Sequence, residues 1–300
     1  MPRSGAWKLG LVVGWLSLCG AQCHRSWLPT SPVIPPSANL EQIVQTVNQN
    51  NLQIHSFSTP QAEMSAEGTL GTLRGPLAFE RPKRFRFQGG TLVTGPEVDL
   101  GSNDELFWIW MRRSPQRAVF YCRHDRFAVS PLRQVLPIGP DGLVEALGIE
   151  PLDPALPHQG PFPSKNGALE IRTLRETPAG PMTKIALIDP NRGVLAAQYV
   201  FDSQGKVVAS SVVEEFRRDP LTGLTIARKL QLEAPSVGFR MKLDLGTVQI
   251  NRLPGNPQAL WTLPRYEDYP WVDLSEPQSA PGPGISSSGW NPIQNRSGLR

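Results

Sequence analysis

The sequence predicts a mainly β fold with helices, an antiparallel meander that curls into a barrel or a strongly bent sheet. Three observations predict it. Alternation of apolar and polar residues with period two runs through 53–129 and again through 168–249. Turn clusters such as Asp189-Pro190-Asn191-Arg192-Gly193 and Asp202-Ser203-Gln204-Gly205 separate the runs at regular spacing. Helical periodicity is confined to short stretches near residues 40 and 143.

Residues 1–23 read as an export signal. Arg3 and Lys8 give a positive start, and Leu9 to Leu18 supply about ten apolar residues, too few for the ~20 that span a bilayer. Two endings are open. Leu16-Ser17-Leu18-Cys19 resembles a bacterial lipobox, although Leu18 stands where a small residue is usual; it would make Cys19 the lipidated N-terminus, with Cys23 as a second candidate. The rival is simple cleavage after Ala21. The Pro/Ser-rich stretch 24–38 reads as a tether.

Asn39 and Gln42 have capping-box spacing, and Leu40, Ile43, Val44 and Val47 form one apolar stripe, so a helix starts here and lies against a sheet or groove. Strands follow. Gln53–Ser58, Leu77–Phe79 and Phe85–Phe87 alternate, and Glu105–Met111 is a continuous apolar run that pairs as a hairpin with Ala118–Tyr121. Section 130–150 reads as helical, with Ser130-Pro131 as an N-cap pair and a Leu143, Val144, Leu147 stripe ending at Gly148. Residues 151–163 read as a proline-rich insert. The second half returns to strands at Ala168–Leu174, Thr183–Ile188, Val194–Phe201, Val207–Phe216, Thr225–Leu232 and Phe239–Gln249. The tail 274–300 is Ser, Pro and Gly rich and reads as disordered.

Composition narrows the function classes. The 30 basic and 26 acidic residues give a net charge of +4, spread along the chain, which argues against nucleic-acid binding and for a solvated mixed surface. The 31 prolines cluster in the connecting segments. Four histidines lie scattered, without zinc spacing, a phosphate-cradling loop or a nucleophile elbow, so no metal, cofactor or catalytic set is expected. Cys122-Arg123-His124-Asp125 is the one constellation that could be reactive. On a strand, residues 122 and 124 share a face but splay along it, so Cys122 reads as a small buried hydrophobe.

The order of elements, with Gly75-Pro76-Leu77-Ala78-Phe79-Glu80-Arg81-Pro82-Lys83-Arg84-Phe85-Arg86, resembles the LolA/LolB/LppX lipoprotein-carrier superfamily. Asp104–Trp110 and the Tyr199–Lys206 hairpin fall where that family has a Trp-bearing strand and an Asp/Gly turn, and the resemblance covers roughly 39–273. It implies a half-open antiparallel β-barrel with an N-terminal helix and a short helical lid or plug. It also implies a cell-envelope lipoprotein that binds lipid or lipoprotein acyl chains, held at the membrane by an N-terminal lipid anchor, and not an enzyme. The family's Arg-Pro arginine bonds to the helical lid and keeps the empty cavity shut, a role that falls by position on Arg81. The other reading of Arg81 is a strand-end surface charge. An envelope-stress sensor of the same fold and a structural lipoprotein without ligand are the alternatives.

Such a shape holds lipid without catalytic groups, because ~14 buried methylenes contribute up to ~11 kcal/mol before ordering costs. The candidate cavity residues are Phe79, Phe85, Phe107, Trp108, Trp110, Leu143 and Leu147. For Trp108 and Trp110, core packing and cavity lining both stay open, since the run 107–111 needs burial on both faces.

Overall fold

The computed structural model describes residues 31–67, 71–132, 139–177 and 180–275. The export signal, Cys19, Cys23 and residues 24–30 of the tether lie outside the described residues, as do 133–138 and the tail beyond Ser275.

Helix α1 (Leu40–Asn51) begins where its capping box predicts. Asn39 Oδ1 accepts from Gln42 N–H and Gln42 Oε1 accepts from Asn39 N–H, each at 2.9 Å, so two donors left over at the helix start are satisfied reciprocally. Its apolar stripe, Ile43, Val44 and Val47, is buried against Ile171, Ala186, Ile188 and Leu195. Ile34 joins this cluster, and its N–H bonds to Pro190 O at 2.9 Å. The last residues of the stretch read as a tether are therefore part of the fold.

Among the described residues, fifteen strands form one sheet. In chain order they are β1 (Ser56–Ala66), β2 (Leu73–Glu80), β3 (Arg84–Thr91), β4 (Gly95–Ser102), β5 (Leu106–Met111) and β6 (Val119–Arg123). After a 3-10 turn (His124–Val129) and helix α2 (Pro140–Ala146) come β7 (His158–Pro163), β8 (Leu169–Thr177), β9 (Gly180–Asp189), β10 (Val194–Phe201), β11 (Val207–Arg218) and β12 (Thr225–Ala234). Last among the described residues come β13 (Phe239–Asp244), β14 (Gln249–Ile250), the short helix α3 (Pro257–Leu260) and β15 (Trp271–Asp273). The spatial order is β15-β6-β5-β4-β3-β2-β1-β13-β12-β11-β10-β9-β8-β7, with β14 beside the start of β1. All neighbours are antiparallel except β15 on β6. β15 and β7 are the two ends and do not pair, so the sheet stays open and the half-open barrel stands.

β1 is long enough to serve two partners because it is bent. Its register slips between Thr59 and Ala62, around Pro60, so that Phe57 pairs with Ile250 of β14 while Met64 pairs with Leu243 of β13. A proline has no N–H to give the ladder, and a bulge is where that loss is tolerated.

Three strands escaped the sequence reading. β7 occupies His158–Pro163, inside the segment expected to be only a proline-rich insert. It is an edge strand, whose unpaired side tolerates proline. β4 carries Gly, Pro and a buried Asp, and β15 is three residues long. Leu274 N–H bonds to Tyr121 O at 2.8 Å and Ser275 Oγ accepts from Arg123 N–H at 2.9 Å, so Leu274 and Ser275 are part of the fold.

Candidate functional site

The helices define an inner and an outer face of the sheet. On the inner face of β1–β6, alternation places Phe57, Phe79, Phe85, Phe87, Leu100 and Phe107 in one continuous cluster. α2 lies on it with Leu143, Val144 and Leu147. Five of the seven cavity candidates thus come together: Phe79, Phe85, Phe107, Leu143 and Leu147. Cys122 is buried in the same cluster, and burial pushes its thiol up. His124 turns its Nε2 to Asn103 O at 2.8 Å, so the ring is committed to the backbone.

Trp108 and Trp110 do not line this space. Strand alternation sends them to the outer face, where they pack with Val119, Leu263, Tyr266 and Tyr269 under the C-terminal segment. Trp110 stacks on Tyr266 with centroids 4.0 Å apart and planes 15° apart. The indole of Trp108 lies flat over Gly101, its register partner, where an added Cβ would sit 2.2 Å from the ring. Asp99 anchors this layer. It is fully buried and accepts from Arg86 (Nη2, 2.7 Å; Nε, 3.1 Å), Gln88 Nε2 (3.1 Å), Trp108 Nε1 (3.3 Å) and Tyr266 Oη (2.7 Å). Burial first, then Asp99, pushes the Tyr266 hydroxyl well above the usual tyrosine range. Arg86 also donates to Leu260 O at 3.1 Å, which ties α3 to the sheet.

The inner face of β8–β11 is different. Thr173, Lys184, Gln198 and Ser211 are buried polar residues on one side of their strands; Thr173 bonds to His158 of β7, and the other three meet α2. Lys184 Nζ pairs with Glu145 Oε1, and Arg175 Nη1 approaches the same oxygen at 3.2 Å. Gln198 Nε2 donates to Glu145 O, and Ser211 Oγ to Ala146 O at 2.7 Å, so two carbonyls at the end of α2 are satisfied by the sheet. Burial alone would raise the Glu145 pKa, but Lys184 and Arg175 outweigh it and the net shift is downward. Between α2 and β10–β12 lies a hollow of about 60 Å³, lined by Gly142, Glu145, Gln198, Val200, Ala209 and Leu232 among others. A second hollow of about 230 Å³ lies on the outer face, lined by Ser58, Pro60, Ala78, Arg86, Gln249 and Leu260 among others.

Arg81 sits where the ends of α1 and of the α2 segment converge. Its Nε donates to Ile54 O at 2.7 Å, and its Nη2 donates to Asn51 O at 3.1 Å and to Ile149 O. No basic residue lies in the last turn of α1, so the guanidinium also supplies positive charge at the helix C-terminus. Burial pulls its pKa down, partly offset by Glu150. Sequence reading missed its companions. Asn48 exchanges two bonds with the Leu152 backbone, both at 2.7 Å, and Asn51 Nδ2 donates to Gly148 O (3.1 Å) and Glu150 O (2.9 Å). Asn50 makes the same exchange with Thr225 of β12 at 2.9 and 2.8 Å. The run Asn48-Gln49-Asn50-Asn51, poor in helix formers at the end of a helix, was the available signal.

No family model matches the chain, and no curated protein matches it. Solved structures do. A DUF1329 family protein from Desulfovibrio piger superposes with a TM-score of 0.51 at 11% identity, covering 78% of this chain and 98% of that one. A domain from Vibrio parahaemolyticus, described as that of an outer membrane lipoprotein-sorting protein, superposes with a TM-score of 0.50 at 8% identity, covering 74% of this chain and 97% of that one. The fold is LolA-like. In this LolA-like half-barrel, α1 covers β8–β10 while α2 plugs the space in front of the phenylalanine cluster. No helix among the described residues is long and apolar enough to cross a membrane.

Proposed function

We propose that this chain is an exported cell-envelope lipoprotein, anchored through Cys19, whose half-barrel holds an acyl chain against the phenylalanine face in place of α2. The observation that carries this reading is the nature of the closure. Among the described residues the apolar inner face is covered by Phe127 of the 3-10 turn, Leu132 and the α2 segment, not by a second sheet. In the α2 segment Leu143, Val144 and Leu147 contribute about 1.5–3 kcal/mol each by burial, roughly 5–9 together. A chain of ~14 methylenes offers up to ~11 kcal/mol at the same surface. Exchange of helix for chain is therefore balanced enough to be reversible. Arg81 and the asparagines of α1 hold the segment after α2, which keeps the unloaded face covered. The likeness to a domain described as lipoprotein-sorting supports the same class of ligand.

A second reading has one observation in its favour. The hollow beside α2 is about 60 Å³, well under the ~300 Å³ at which small-molecule pockets begin. A structural lipoprotein filled by its own side chains would look like this. Native mass spectrometry of protein purified without detergent separates the two. The carrier reading expects a co-purified acyl lipid, or uptake of added palmitate in one-to-one stoichiometry. A clean unliganded mass that also refuses palmitate supports the structural reading. The anchor is read from the same protein: Cys19→Ser should release it from membranes, and release by Cys23→Ser alone would move the assignment.

A further inference from the structure

We propose that Lys184, Arg175, Gln198 and Ser211 form a head-group site that selects acyl chains ending in an anion, and that Glu145 occupies that site while the barrel is empty. The inference rests on the acyl-binding reading above and names its ligand class.

The inner face is divided. From β1 to β6 it is phenylalanine and leucine, whereas on β8–β11 it presents Arg175, Lys184, Gln198 and Ser211 around the end of α2. A surface with one greasy half and one cationic, hydrogen-bonding half matches an amphiphile lying across it. The ammonium of Lys184 decides the charge. Lys184 is only 7% exposed, and its ion-pair partner is the Glu145 carboxylate carried by α2. If α2 leaves to admit a chain, a buried lysine is left without its anion, and an unpaired buried charge is strongly disfavoured. The incoming ligand must then bring a negative group to the same place, or the exchange does not balance. Glu150, the other carboxylate near this cluster, is poorly suited to stand in, because burial first and Glu145 second push it toward the neutral form. Gln198 supplies a further donor. It is 5% exposed, and its Nε2, which holds Glu145 O, is freed for an incoming anion when α2 leaves.

The test compares three ligands of equal chain length on the full chain, by displacement of a neutral fluorescent hydrocarbon. They are palmitate, palmitoyl lysophosphatidate and methyl palmitate. Either acid is expected to bind about tenfold or more tighter than the ester, and whichever acid is favoured tells whether the natural head is a carboxylate or a phosphate. Lys184→Met should bring the affinities for acids and ester to within about twofold of each other. Glu145→Gln should tighten the acids by removing their internal competitor. Equal binding of acid and ester by the unmodified protein overturns the head-group assignment and leaves the acyl reading standing. An acid preference that survives Lys184→Met overturns it too. Refusal of all three ligands sinks both the assignment and the acyl reading beneath it.

Discussion

Replacing Asp99 with alanine is expected to cost about 3–5 kcal/mol of stability, the largest single-site loss in the fold. The carboxylate is fully buried and accepts five bonds from four side chains, Arg86, Gln88, Trp108 and Tyr266. Removing it leaves the Arg86 guanidinium, itself nearly buried, without its ion-pair partner. It also releases Tyr266, which stacks on Trp110, so the C-terminal cover of the outer face should loosen with it. Urea unfolding measures the loss, and Tyr266→Phe is the milder control at about 1–2 kcal/mol. A cost below about 1 kcal/mol for Asp99→Ala would mean that the outer layer does not depend on this carboxylate.

Arg81→Leu is expected to cost about 3 kcal/mol, because three carbonyls lose a charged donor at once. The loss should be local before it is global. Hydrogen exchange at 148–152 and at the end of α1 should speed up, since Arg81 joins these segments to each other. Under the carrier reading the variant also retains bound lipid longer, having lost the bond that favours the closed state. Arg81→Lys should recover little, because an ammonium on a flexible stem lacks the fixed fork that reaches carbonyls in different directions. Unchanged exchange and a cost below about 1 kcal/mol would return Arg81 to the other reading, a strand-end surface charge.

These two residues mark how far the sequence could be read. Arg81 stood out through the Arg-Pro pair in its strand context, and the geometry gives it three carbonyls to hold. Asp99 did not stand out, since in Gly95-Pro96-Glu97-Val98-Asp99-Leu100-Gly101-Ser102 an acid among glycines looks like a turn. Only the arrival of Arg86 from β3 and Tyr266 from the C-terminal segment makes its burial affordable, and neither is near in sequence. The period-two runs located the strands well, because a strand with one buried face must alternate. The same rule could not say which face of Leu106–Met111 the helices would cover. Phe107 and Ile109 therefore joined the inner cluster while Trp108 and Trp110 went outside. Lys184 was hidden for a related reason. It shares parity with Ala186 and Ile188 on β9, but Ile185 and Leu187 on the other parity are equally apolar, so the inward face of that strand was ambiguous.

The claim beneath the functional reading is that a fatty chain enters on the helix-covered face of the sheet. Spin-labelled stearate added to protein carrying fluorine-labelled phenylalanine and tryptophan locates the chain directly, through broadening of nearby resonances. The expected result is loss of the Phe57, Phe79 and Phe107 signals with Trp108 and Trp110 left sharp. Sharp signals from all of these phenylalanines at saturating stearate, or broadening confined to the two tryptophans and the outer hollow, would contradict it.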